Sequence, residues 1–141
     1  GWSGGGTNTL NAMVRDADLF KVGMAVAPVP DQRLYDTHWR ERFLGHPDIN
    51  PGAYDRCSPV NEAASLRRPL LLVHGMADDN VVAAHTLRLS AALLAAGRPH
   101  RVLPLSAVTH SPTDEVVVEG LLRHQLEFLR ESLNVSPVGA V

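Results

Sequence analysis

Three short segments of the sequence carry side chains that together could perform nucleophilic catalysis. The first is GWSGG at the start of the chain, which matches the pattern Gly-X-Ser-X-Gly. In a tight strand-to-helix turn, glycines two positions before and after a strained serine (here Gly1 and Gly5) let the chain fold back. We therefore predict that Ser3 is a nucleophile and that the N–H of Gly4 contributes to an oxyanion hole. A glycine-rich linker or a phosphate loop would show the same five letters.

The second segment, HGMADDN, follows the apolar run 69–73 directly. Catalytic groups of open α/β sheets lie at the carboxyl ends of the strands, so an acid here is well placed to orient a histidine. We predict that Asp78 is this acid. The neighbouring Asp79 or Asn80 is predicted to cap a helix that begins at Val81.

The third segment is AVTHS, in which His110 follows another strand-like run, 101–105. The order Ser3, Asp78, His110 is that of α/β-hydrolases and differs from the orders of chymotrypsin and subtilisin. A single histidine is usually a surface or core residue, but the position of His110 behind the other two candidates favours a general base.

The other histidines do not form a pattern typical of a metal site. Their spacings contain neither H-X-X-X-H nor H-E-X-X-H, and the single cysteine, Cys57, cannot build a cysteine-based site. We expect no bound metal. These six histidines are His38, His46, His74, His85, His100 and His124.

Composition favours one globular domain. The 141 residues are 45% hydrophobic and 20% charged, and the net charge of −2 with no basic cluster argues against nucleic-acid binding. No apolar run approaches the roughly 20 residues that cross a bilayer, so no membrane partner is expected. The presence of a single cysteine favours a cytoplasmic location. The chain has neither an initiator Met nor a signal peptide, and we expect it to be cut from a longer one.

Apolar runs and helical periods alternate along the chain. Strands are predicted over 22–29, 69–73 and 101–105, and helices over 7–15 and 81–96. A last helix is predicted to start with Ser111 as N-cap and Pro112 as its first residue, and Asp114 completes a capping box. The proline-rich region 30–68 is predicted to hold short helices at 34–44 and 59–65, and a turn at 50–52. This order predicts an α/β fold, a mostly parallel sheet with helices on both faces. The domain spans 1–134, and 135–141 is predicted to be a flexible tail.

With these motifs in place, the sequence resembles the catalytic domain of the prolyl oligopeptidase family, in its dipeptidyl peptidase IV branch. The matching stretches are GWS, FKVGMAVAPV, YD with ERFLG, and HGMADDNV, followed by His110 and its helix. The resemblance covers nearly the whole chain, to about Leu133. It implies the C-terminal part of an α/β-hydrolase fold that starts at the nucleophile elbow.

The resemblance also implies roles for individual residues. Ser3, Asp78 and His110 would be the catalytic triad. Trp39 falls where the family usually has a tyrosine, and Gly4 where it commonly has a large aromatic residue. A small pocket for proline-like side chains would be lined by Val29, Tyr35, Trp39, Asn80 and Val81. Family members are serine peptidases acting on peptides, use no cofactor and often form homodimers through C-terminal helices.

Full-length family members carry a β-propeller and about half of the hydrolase sheet before the elbow. The propeller supplies acids that hold a substrate amino terminus, and an upstream loop supplies a tyrosine to the oxyanion hole. The strand at 22–29 should lie beside the strand that ends at the elbow. We therefore expect the isolated chain to be poorly stable and weakly hydrolytic, with an apolar sheet edge left unpaired.

Two other interpretations stay open. A carboxylesterase or an acylaminoacyl-peptidase-like hydrolase would share the triad, although Tyr35, Trp39 and Asn80 favour a peptidase. Alternatively, the chain is a catalytically incomplete fragment that acts only as an interaction or dimerisation module. The missing half of the sheet favours that second alternative, and the presence of all three triad residues argues against it.

Overall fold

A computed structural model describes residues 1–135, and the predicted tail lies outside the described residues from position 136 on. Its centre is a three-stranded parallel sheet in the order β1-β2-β3. The strands are β1 (Gly23–Val26), β2 (Leu70–Gly75) and β3 (Arg101–Leu105). The third strand has the predicted bounds. The first is shorter than predicted because Ala27 turns the chain out of the strand with a φ of 44°.

The first three residues extend this sheet beyond β1. Trp2 forms a parallel bridge with Val26. The N–H of Ser3 donates to the Val26 carbonyl at 2.8 Å, and the Val26 N–H donates to the Gly1 carbonyl at 2.9 Å. The predicted position of the elbow beside the strand at 22–29 is therefore confirmed.

Within residues 1–135, five α-helices and two short 3₁₀ helices connect and cover the strands. They are α1 (Gly4–Arg15), α2 (Thr37–Leu44), α3 (Pro51–Arg56), α4 (Ala84–Ala95), α5 (Glu115–Leu133) and the 3₁₀ segments Gln32–Leu34 and Pro59–Ser65. Helix α3 replaces the turn predicted at 50–52, because Pro51 occupies the first helical turn, where its missing N–H has no cost.

Four predicted helix starts are wrong by three residues each, because α1 begins at Gly4, α2 at Thr37, α4 at Ala84 and α5 at Glu115. Helix α5 begins after Asp114, whose carboxylate accepts the Val117 N–H at 3.0 Å, so Asp114 is the N-cap and Ser111 lies outside the helix. Helix α4 begins at Ala84, and the preceding Ala83 makes no side-chain cap, so neither Asp79 nor Asn80 caps it. The reason is local, because residues 79–81 fold around the side chain of Asp78 instead.

The core lies on both faces of the sheet, as the predicted architecture requires. Helices α1 and α4 pack on one face, where the buried cluster includes Leu10, Leu72 and Leu89. Helix α5 covers the other face with Leu121 and Phe128. The carboxyl ends of the strands are thus held at one edge of a rigid layer. Within residues 1–135, no helix has the length and apolar character needed to cross a membrane.

Candidate active site

Ser3 sits in a strained turn between the sheet and α1. Its φ of 53° and ψ of −119° place a non-glycine residue in a region that L-amino acids rarely adopt. It is the N-cap of α1, yet its hydroxyl makes no capping hydrogen bond. The side chain is therefore not used for local structure. Gly4 follows as the first helical residue, and its N–H belongs to the helix end that has no intrahelical partner.

The glycines around Ser3 differ in how tightly they are packed. A Cβ at Gly1 would collide with the carbonyl of Gly5, and one at Gly6 would lie 2.9 Å from the Val26 oxygen. At Gly5 a Cβ would meet nothing within 4 Å. The close approach after the serine is thus at Gly6, and the predicted steric role of Gly5 is wrong. The sequence pattern could not distinguish Gly5 from Gly6 because Gly4, Gly5 and Gly6 are consecutive.

Asp78 and His110 meet at the ends of β2 and β3. His110 Nδ1 lies 2.8 Å from Asp78 Oδ2, and the Asp78 side chain is completely buried whereas a quarter of the His110 side chain is exposed. The other carboxylate oxygen accepts the N–H groups of Asn80 at 3.0 Å and Val81 at 2.8 Å. Since a carboxylate only accepts, Nδ1 of His110 carries the proton and Nε2 is left as an acceptor.

A hydrogen bond from Trp2, the residue before Ser3, joins the serine turn to the loop that carries His110. The indole Nε1 of Trp2 donates to the His110 carbonyl at 3.2 Å. Within residues 1–135, the Ser3 hydroxyl makes no hydrogen bond to the His110 ring. Catalytic hydrogen bonds are often long before substrate binds. The structure thus brings the aspartate and the histidine into contact and links the histidine loop to the serine turn.

Gly75, at the end of β2, is a position beside the site whose close packing the sequence analysis missed. A Cβ there would overlap the carbonyl oxygens of Val108 and Thr109. The loop after β3 passes directly over this glycine and is fixed by a 3.0 Å hydrogen bond from the Ala77 N–H to the Val108 carbonyl. The same loop carries His110, whose ring contacts Asp78. The only signal in the sequence was a glycine two residues after the buried strand predicted at 69–73.

The predicted pocket residues are partly brought together. Val29 and Val81 are buried. The Tyr35 hydroxyl donates to Asn80 Oδ1 at 3.1 Å, which attaches the segment before α2 to the loop of the acid. Trp39 is 49% exposed, and its ring packs on Phe43 with centroids 4.9 Å apart.

The other histidines play no part in a metal site in the described structure. No group of three or more His, Cys, Asp or Glu residues within 1–135 is arranged to hold a metal ion. His74 is buried and hydrogen-bonded through both ring nitrogens. His85 is also buried, but neither ring nitrogen has a partner, and desolvation lowers its pKa from 6.5 to about 4.

Comparisons with known proteins identify the family of this chain. The model of the prolyl oligopeptidase family matches residues 1–136. A probable dipeptidyl-aminopeptidase B from Sclerotinia sclerotiorum is 50% identical over 91 residues, which are 63% of this chain and 10% of that protein. Human dipeptidyl peptidase 8 is 38% identical over 136 residues, which are 94% of this chain and 15% of that protein.

The fold agrees as well. The crystal structure of Porphyromonas gingivalis dipeptidyl peptidase 4 superimposes with a TM-score of 0.90 at 37% identity, covering 93% of this chain and 19% of that one. The small parallel sheet with its helices corresponds to the C-terminal α/β-hydrolase part of such structures. The chain spans only 10% to 15% of the length of the curated relatives described above. On the family match, the relatives and the fold, this chain belongs to the prolyl oligopeptidase family.

Proposed function

We propose that the protein is a serine peptidase that cleaves short peptides through an acyl-enzyme, with Ser3 as nucleophile, His110 as general base and Asp78 as the acid of the triad. The observation that carries this proposal is the 2.8 Å contact between His110 Nδ1 and the buried Asp78 carboxylate, at the strand ends beside the serine turn. Family membership and the names of the relatives support peptides as the substrate class.

In the proposed reaction, Ser3 Oγ attacks the carbonyl carbon of the substrate while Nε2 of His110 takes the hydroxyl proton. The oxyanion that forms accepts the N–H of Gly4. His110 then gives its proton to the leaving amine, and the acyl group stays on Ser3. Water, deprotonated by His110, attacks the acyl carbon, and the proton returns to Ser3 as the acid product leaves. Asp78 holds the imidazole tautomer throughout.

We further propose that the five pocket residues select a small, proline-like side chain before the cleaved bond. The Tyr35–Asn80 hydrogen bond supports a pocket next to the triad, since Asn80 also donates its N–H to Asp78. The relatives' names, dipeptidyl peptidase and dipeptidyl-aminopeptidase, favour dipeptides as the released product. Esterases with the same triad would not need this pocket.

The test is labelling with a fluorophosphonate probe in the natural full-length protein, followed by identification of the modified residue. We expect the label on Ser3, and we expect Ser3→Ala and His110→Ala each to lower kcat by several orders of magnitude. Ser111→Ala, an exposed serine beside the histidine, is the matched control. Labelling that survives in Ser3→Ala would remove the assignment. A labelled protein that cleaves esters but no peptide would be an esterase, and an unlabelled one an interaction module.

We also propose that two copies pair through α5. This helix buries Leu121 and Phe128 but exposes 59% of Leu122 and 47% of Leu126. Leu126→Glu should shift the molecular mass measured by light scattering towards the monomer, whereas Leu94→Glu, at an exposed leucine of α4, should not. A dimer that persists in Leu126→Glu would place the contact elsewhere.

A further inference from the structure

A buried polar network lies directly behind the acid of the proposed triad. His74, on β2, is 1% exposed, and Thr86, on α4, is also 1% exposed. His74 Nδ1 lies 2.7 Å from Thr86 Oγ1, and His74 Nε2 lies 2.6 Å from the carbonyl oxygen of Val81. Both ring nitrogens of this histidine are thus engaged, one by a helix and one by the loop that carries the acid.

The two partners determine where the protons lie. The Val81 carbonyl can only accept, so Nε2 of His74 must carry a hydrogen. The Thr86 hydroxyl is buried and has no other hydrogen-bond partner within residues 1–135, so its hydrogen goes to Nδ1 of the histidine. These partners therefore place a proton on Nε2 of His74, with Nδ1 accepting from the Thr86 hydroxyl.

This arrangement reaches the acid through one peptide unit. While the Val81 carbonyl accepts from His74, the Val81 N–H donates to Asp78 Oδ1 at 2.8 Å. The Nε2 atom of His74 also lies 3.5 Å from Asp78 Oδ2, the oxygen that accepts from His110. A displacement of His74 would therefore move the Val81 peptide, whose N–H binds Asp78 Oδ1. It would also move the Nε2 atom of His74 that lies near Asp78 Oδ2.

We infer that His74 and Thr86 are positioning residues for Asp78, acting on the reaction through the acid without touching substrate. This inference rests on the proposed triad. The fully buried ring ties β2, α4 and the loop 76–81 together, so that the carboxylate reaches His110 in one orientation. Sub-ångström placement matters here because a misplacement of about 1 Å can lower a rate by about 10²-fold.

The expected effects are graded. His74→Leu removes both hydrogen bonds while filling the space, and it should lower kcat by about 10²-fold with KM nearly unchanged. His74→Gln, whose amide can donate to Val81 and accept from Thr86, should recover part of that loss. Thr86→Val should lower kcat by about 5- to 10-fold, the equivalent of one lost hydrogen bond, whereas Thr86→Ser keeps the hydroxyl and should retain activity.

A control substitution in the same strand distinguishes a positioning role of His74 from a purely structural one. Leu72→Ala opens a cavity in the core without touching the network, so it should lower the melting temperature while kcat at a permissive temperature stays near wild type. The inference is overturned if Leu72→Ala and His74→Leu lower kcat equally at equal loss of melting temperature. It is also overturned if His74→Leu folds and keeps wild-type kcat.

The proton positions give a readout that does not depend on activity. Two-bond ¹H–¹⁵N spectra of the Ser3→Ala protein should show a non-protonated Nδ1 and a protonated Nε2 for His74. The opposite tautomer would overturn the inference even if the triad is correct. Conversely, a wild-type protein that fluorophosphonate does not label would reject the proposed function, and the spectrum would still report whether the network exists.

Discussion

The loop that carries Asp78 and the helix that carries Trp39 are held in opposite ways. Asp78 is completely buried, and both carboxylate oxygens are engaged by partners from the loop itself and from His110. Helix α2, by contrast, has no buried residue, and Trp39 in its first turn is half exposed. One region is fixed by internal hydrogen bonds, and the other rests on the surface.

Few contacts attach the α2 region to the rest of the site. The hydroxyl of Tyr35 binds Asn80, and the guanidinium of Arg40 lies 4.9 Å from the Tyr35 ring centroid. From this difference and the proposed function we expect the buried loop to provide fixed geometry for bond making and the exposed helix to adapt to substrate. Substitutions in the loop should then lower kcat, and those in α2 should mainly change selectivity.

The largest effect should come from the carboxylate itself. In Asp78→Asn the amide can donate to His110, which favours the wrong imidazole tautomer, so kcat should fall by about 10⁴-fold with little change in stability. Steady-state kinetics on a peptide substrate and a thermal melt provide the measurement. Asp79→Asn, at the exposed neighbouring acid, is the matched control. Similar losses in the two variants would mean that Asp78 has no special role.

The next effect concerns the glycine under the histidine loop. Gly75→Ala places a Cβ against the Val108 and Thr109 carbonyls, which should displace His110 and lower kcat by at least about 10²-fold. Gly120→Ala, in α5 where a Cβ meets nothing within 4 Å, should be neutral or slightly stabilising. If Gly75→Ala retained wild-type kcat, the close passage would not be what positions the histidine.

The third effect is a pH dependence of stability from His85, whose ring lies behind the proposed pocket with its centroid 6.4 Å from that of Tyr35. Its pKa is lowered to about 4 in the folded state, so between pH 6.5 and 4 the unfolded chain binds more protons. The free energy of unfolding should therefore fall as pH falls through this window, by at most about 3 kcal/mol from this group. Denaturant titrations at several pH values measure it.

The control for this pH dependence is His85→Leu, which replaces an unpartnered imidazole by an apolar side chain of comparable size. The difference between the two proteins isolates His85 from the acids that also titrate in this range. A wild-type curve that runs parallel to the His85→Leu curve between pH 4 and 6.5 would show that burial does not control the charge of this histidine.

The smallest effect is expected at the exposed helix. Trp39→Ala should cost about 1–3 kcal/mol in kcat/KM for peptides with a proline-like residue before the cleaved bond, because an apolar wall is lost. Phe43→Ala, which removes the outer partner of the same aromatic pair, should cost less. An equal loss for peptides with large aromatic residues at that position would place the pocket elsewhere.

The order of elements and the candidates for catalysis were predictable from the sequence alone. Buried parallel strands are continuous apolar runs, which a local pattern can identify. Ser3 lies in an elbow motif, and Asp78 and His110 each follow a strand, so local patterns also identified these candidates. The strand at 101–105 was predicted to the residue. Helix starts were predicted less well, because several capping side chains compete near each one and the tertiary structure selects among them.

Other features were decided only by the tertiary structure, because they depend on residues far apart in the chain. Gly75 matters because a loop more than 30 residues later lies against it, and Gly6 matters because the Val26 carbonyl approaches it. His74 and His85 are both histidines beside apolar runs, yet one has two hydrogen-bond partners and the other has none. Local sequence specifies which side chains are available, and packing between distant segments decides which polar atoms meet.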